Sequence, residues 1–169
     1  MAIVTTNYAS TATLTITLAS LASNANLIGG QESNEVDNTS NKYTDVMIQG
    51  KITVGSTVTT STQIQLYVWG SDTSAATKNL DVIDGVDSAE SFATVGVRDS
   101  VVKLGKVISV DSTTANRTYY ISSFSISELF GGNMPEYWGI WVTHNTGSNL
   151  NSTSSNHEIT YTGIKYDIT

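Results

Sequence analysis

Residues 135–147, PEYWGIWVTHNTG, decide how this chain folds. The stretch carries the only proline, two of the three tryptophans and one of the two histidines. Its side chains alternate: Trp138, Ile140 and Val142 share one parity, and Tyr137, Trp141 and Thr143 share the other. Alternation with period two marks a strand whose faces meet different surroundings, because successive Cβ atoms point to opposite sides of a pleated backbone. The Trp-Ile-Val row must face a core. The Tyr-Trp row faces either a second packing layer or a partner.

The same period recurs on both sides of this strand. Residues 12–18 set Leu14, Ile16 and Leu18 against a row of threonines. Residues 44–54 turn Val46, Ile48, Ile52 and Val54 inward; residues 62–69 do the same with Ile64, Leu66 and Val68 and turn Tyr67 and Trp69 outward. The short polar link between these two predicts an antiparallel hairpin. Residues 92–97 read as a short strand, and residues 101–110 as a full one with Val102, Leu104, Ile108 and Val110 inward. Residues 118–126 bring Tyr120, Phe124 and Ile126 into phase. In residues 157–167 the apolar parity switches across Gly163, which predicts a β-bulge there. Residues 29–42 and 70–80 read as loops, 1–10 as an extended arm or edge strand, and 127–130 as a helical turn capped by Ser127 and closed by Gly131 and Gly132. About eight strands with no long helix predict an all-β fold, an antiparallel β-sandwich built as one domain over residues 1–169. A jelly roll is the favoured topology and an immunoglobulin-like sandwich the alternative.

Composition narrows the function. Only 14% of residues are charged, while 22 Ser and 25 Thr supply the polarity, so the surface is polar through hydroxyls. The net charge is -7 and the eight basic residues are scattered singly, which disfavours nucleic acid and anionic membranes as partners. With no cysteine, disulfides and thiolate metal sites are excluded. No apolar run reaches the ~20 residues of a membrane span. The N-terminus lacks the pattern of a signal peptide, so folding in the cytoplasm where the chain is made is expected. Three Asn-x-Ser/Thr sequons, at Asn38, Asn116 and Asn151, read as chance in such a sequence.

Catalytic constellations are scarce. Gly-x-Ser-x-Gly is absent, and His144 and His157 are the only ring bases, each at a strand end. Asp81, Asp84 and Asp87, spaced by three around Gly85, are weak candidates for a hard cation such as calcium, against the plainer reading of a solvated turn. Glu32, Glu35 and Asp37 share one polar stretch, where nothing predicts the raised pKa a glycosidase acid needs. No cofactor and no enzymatic activity are expected. Tyr67, Trp69, Tyr137 and Trp141 are the interaction candidates: on neighbouring strands they would form an aromatic platform for a protein or a sugar, unless a further layer covers them.

Several segments together resemble a family of short, Ser/Thr-rich virion proteins of tailed bacteriophages, encoded beside the major capsid protein. They are Glu32-Ser33-x-x-Val36-Asp37-Asn38, Gly50-Lys51-Ile52-Thr53-Val54-Gly55, Arg117-Thr-Tyr-Tyr120, Leu129-Phe130-Gly131-Gly132, Pro135-x-Tyr137-Trp138-Gly139 and His144-Asn145-Thr146-Gly147. The likeness runs from about Ala12 to the C-terminus and implies a structural protein that decorates or cements the capsid exterior, with no catalytic residues. Its expected partners are the major capsid protein, or another virion protein, and copies of itself in a trimer or dimer. A carbohydrate-binding module of a tail or fibre and a baseplate or neck protein are the alternatives.

Overall fold

The computed structural model describes residues 3–75 and 80–168. The first two residues of the expected arm, and residues 76–79 of the expected 70–80 loop, lie outside that range. Eleven strands form two antiparallel sheets. The first sheet has the order β1 (Val4–Tyr8), β11 (Glu158–Ile168), β5 (Asp45–Thr53), β9 (Thr118–Ser125), with β2 (Ala12–Thr13) also on β11. The second has the order β7 (Ala89–Ser91), β3 (Gly29–Glu32), β10 (Tyr137–His144), β6 (Thr62–Ser71), β8 (Lys103–Val110), with β4 (Val36–Asp37) also on β10. The fold is an all-β sandwich.

The main core lies between the sheets. Trp138, Ile140 and Val142 are fully buried in it, as the opening alternation requires, and meet Val46, Ile48, Ile52, Ile64, Leu66, Val68 and Ile159. Residues 12–18 keep their alternation, with Leu14 and Leu18 buried, but only Ala12 and Thr13 join a ladder.

Four expectations change. The link 55–61 is no hairpin: it carries the chain from one sheet to the other, so β5 pairs with β9 and β11 while β6 pairs with β8 and β10. Residues 29–42, read as a loop, contain β3 and β4. Residues 92–97, read as a strand, lead into helix α1 (Val95–Val101), whose first turn is capped by Thr94 accepting from the Val97 amide. The helical turn Ser127–Phe130 does form and ends at Gly131 in a left-handed conformation (φ 70°), but no side chain of its own caps its start.

The bulges also fall elsewhere. Around Gly163, β11 keeps unbroken register with β5, and beyond it with β1. The glycine is there because the Tyr43 ring packs onto it; an added Cβ would lie 2.5 Å from that ring. The real irregularities are at β5–β9, after Ile48, and at β6–β8, after Leu66. Each inserts residues into one strand and reverses its facing. Leu104 and Tyr120, expected inward, therefore point out, while Ile121 takes the core position.

Candidate functional site

The outer face of the second sheet is covered. The residues flanking the edge strand β7, with α1, lie over it, and Ala75, Ile83, Phe92 and Val102 build a second core against Tyr67, Trp69 and Trp141. Trp141 is 0% exposed, and its ring takes Phe92 and Tyr67 edge-on at 5.2 and 5.6 Å. The Arg98 guanidinium stands 4.7 Å above the Tyr67 ring, donates to the Leu27 carbonyl at 2.6 Å and pairs with Asp99. The Tyr67 hydroxyl donates to Gln65 Oε1 at 2.7 Å. Of the two readings left open for this face, an exposed platform or a covered layer, Tyr67, Trp69 and Trp141 take the second. Of the four candidates only Tyr137 keeps partial exposure, between Asp37 and Ser71.

The acidic residues are brought together differently from their spacing. Asp87 accepts from the Thr17 amide and hydroxyl and from Gln31, and so ties the covering segment to the strand-like 14–18 stretch. Asp81 sits exposed at a left-handed turn residue (φ 56°). Asp84 instead meets Glu32 and Glu90, with one carboxylate oxygen of each within 4.8 Å of the others. Glu32 is fully buried and accepts from the Gly85 and Asp84 amides, pinning that turn to β3. Burial, with the Asp84 and Glu90 charges adding to it against those two hydrogen bonds, pushes its pKa up to about 8. A raised acid was not expected here, because polar sequence neighbours hid a buried position on a strand. Glu35 accepts from the distant Ala75 amide and so anchors that loop to the 32–37 stretch, while Asp37 accepts from Thr39 and closes a local turn.

The histidines serve the fold. His144 is fully buried, with Nε2 3.0 Å from the Leu21 carbonyl and Nδ1 2.9 Å from the Thr146 hydroxyl. The carbonyl needs a donor, so Nε2 carries the proton and Nδ1 accepts. Burial lowers its pKa and keeps it neutral. His157 Nε2 lies 2.8 Å from the Asn151 carbonyl.

The open surface belongs to the first sheet. Past Ile164, which pairs with Asp45 at the start of β5, β11 pairs with β1 alone. This two-stranded ribbon is amphipathic: Val4, Thr6, Tyr8, Ile164 and Tyr166 share one face, and Thr5, Asn7, Lys165 and Asp167 the other. All of β1 is exposed, Tyr8 at 66% and Tyr166 at 60%. Asn7 donates to Asp167 at 2.7 Å, holding the polar face together, while the tyrosines face solvent. At the other end of the same outer face, Tyr120, Lys51 and Glu158 lie side by side across β9, β5 and β11.

Comparison with known proteins finds no protein-family model that matches the chain and no curated protein sequence significantly similar to it.

Proposed function

We propose that the protein is a structural subunit that binds and stabilises a protein lattice, as a decoration protein on the exterior of a tailed-phage capsid. One observation carries this reading: the β1–β11 ribbon runs past the sandwich with Val4, Tyr8 and Tyr166 uncovered. An isolated two-stranded ribbon is marginal in water and is stabilised when a further strand or surface covers it. Its edge strand, VTTNY, has no charge, proline or bulge to deter pairing with another chain. Tyrosines at such a patch combine apolar area with a hydroxyl that stays wet, as protein interfaces favour. The resemblance in segments 32–38, 50–55, 117–120, 129–132, 135–139 and 144–147 supplies the kind of lattice.

A subunit seated across neighbouring capsomers adds its binding free energy to the assembled state, which mass action turns into resistance to heat. The test is co-sedimentation of the purified protein with undecorated phage shells. Saturable binding in a fixed ratio to capsid subunits, with a higher shell melting temperature, is the expected result. Absence of binding to shells, and of the protein from washed virions, would sink the proposal.

A further inference from the structure

The end of the first sheet opposite the ribbon holds a second surface feature. Tyr120 is 77% exposed, the most exposed large hydrophobic side chain among the described residues. Its cross-strand partner is Lys51, whose partner on the other side is Glu158, so the three stand in one row over three strands. The next row carries Gln49 and Thr160. These residues line a shallow groove of about 310 Å³ on the outer face. Neighbouring strands lie ~4.8 Å apart, so the row spans about 10 Å, the length of one to two pyranose rings.

The polar heads along this groove are unspent. Lys51 and Glu158 face each other without forming an ion pair, the Lys51 charge acts on the nearby His157 ring, and among the described residues the side chains of Lys51, Glu158, Gln49 and Tyr120 make no hydrogen bond to another side chain. Unlike the ribbon, the groove sets one aromatic ring among one cation, one carboxylate, one amide and one hydroxyl. Its net charge is zero. A ring that can stack on an apolar face, surrounded by separate donors and acceptors, complements a neutral polyhydroxylated ring better than an anion, a lipid or an apolar peptide. Such a ligand offers C–H bonds to the tyrosine face, vicinal hydroxyls that donate to Glu158, and ring or hydroxyl oxygens that accept from Lys51.

We infer that the groove of Tyr120, Lys51, Glu158, Gln49 and Thr160 is a binding site for a neutral glycan. From Glu158 to Asp167 the strand covers nine residues of rise, or roughly 30 Å, so the groove and the ribbon are separate patches at opposite ends of one face. The inference does not depend on the lattice: glycan binding is read on the free protein.

The test is titration of the ¹⁵N-labelled full chain with glucose, galactose, mannose and N-acetylglucosamine and their β-linked disaccharides, followed by amide shifts. At least one of these is expected to give saturable shifts at millimolar concentration, confined to Gln49–Lys51, Tyr120–Ile121 and Glu158–Thr160. The Tyr120→Ala variant is expected to weaken that binding at least tenfold with an unchanged melting temperature, because the side chain is 77% exposed. Lys51→Ala and Glu158→Gln are expected to weaken it without abolishing it. No saturable shifts with any sugar, shifts centred elsewhere, or binding indifferent to Tyr120→Ala would each overturn the inference. Concentration-dependent shifts of the same residues without sugar would assign the face to a second copy of the chain, and would overturn it too.

Discussion

Trp141 and Phe92 meet edge to face, ring centroids 5.2 Å apart at 74°, and this contact joins the second sheet to the segment that covers it. The sandwich is therefore asymmetric, with three layers on one side and a bare face on the other. Phe92→Ala removes the covering half of the contact and leaves a cavity beside Trp141, at an expected cost of roughly 3–5 kcal/mol. Chemical denaturation with tryptophan emission reads both consequences. A lower midpoint together with red-shifted native emission is expected; native emission that stays blue with an unchanged midpoint would mean that the cover contributes nothing.

The pKa of Glu32 gives stability a pH dependence whose sign can be worked out. Its folded value of about 8 stands above its ordinary 4.5, so between those limits the folded chain holds a proton that the unfolded chain releases. The stability this group contributes is complete below pH 4.5 and is lost as pH rises through 8. Glu32→Gln keeps the neutral form at every pH. Denaturation midpoints measured across this window should fall with rising pH in the wild type and lose that slope in the variant. Parallel profiles would show that Glu32 is ionised in the folded chain.

His144 acts with the opposite slope. Burial lowers its folded pKa below the ordinary 6.5, so the unfolded chain takes up a proton more readily, and stability falls as pH drops through 6.5. The Glu32→Gln background removes the opposing slope and leaves the two histidines, because burial lowers the His157 pKa as well. There the midpoint should decline on acidification, and adding His144→Gln should reduce the decline, the remainder belonging to His157. A decline that persists unchanged would place its origin elsewhere.

The two interior rows of β10 show what alternation can and cannot tell. Trp138, Ile140 and Val142 are legible as core because a row so apolar has nowhere else to go. Trp141, Tyr67 and Trp69 were legible as a row but not as a covered one, since the cover comes from residues 80–102, whose weak pattern hides both a three-residue strand and a short helix. Tyr120 and Leu104 were misplaced for a different reason. A bulge adds residues without changing the character of any of them, so facing inferred from parity is wrong on one side of it. Gly163 shows the converse: the parity switch there is real, yet the strand is regular, and the switch marks where β11 leaves the sandwich for the ribbon. Glu32 is the deepest omission, because only the fold reveals that a polar stretch supplies a buried strand.

The ribbon can be altered without touching the core. Tyr8→Asp combined with Tyr166→Asp places charge on its apolar face, at two positions already in solvent. The melting temperature should stay within a few degrees while shell binding is lost. Retained binding would move the contact surface away from the ribbon.

The most direct measurement is a cryo-electron microscopy reconstruction of phage particles carrying this protein. The account predicts density for the sandwich on the capsid exterior, with Val4, Tyr8 and Tyr166 against the shell. A particle in which the segment over Trp141 forms the contact and the ribbon points into solvent, or one that lacks the protein altogether, would contradict it.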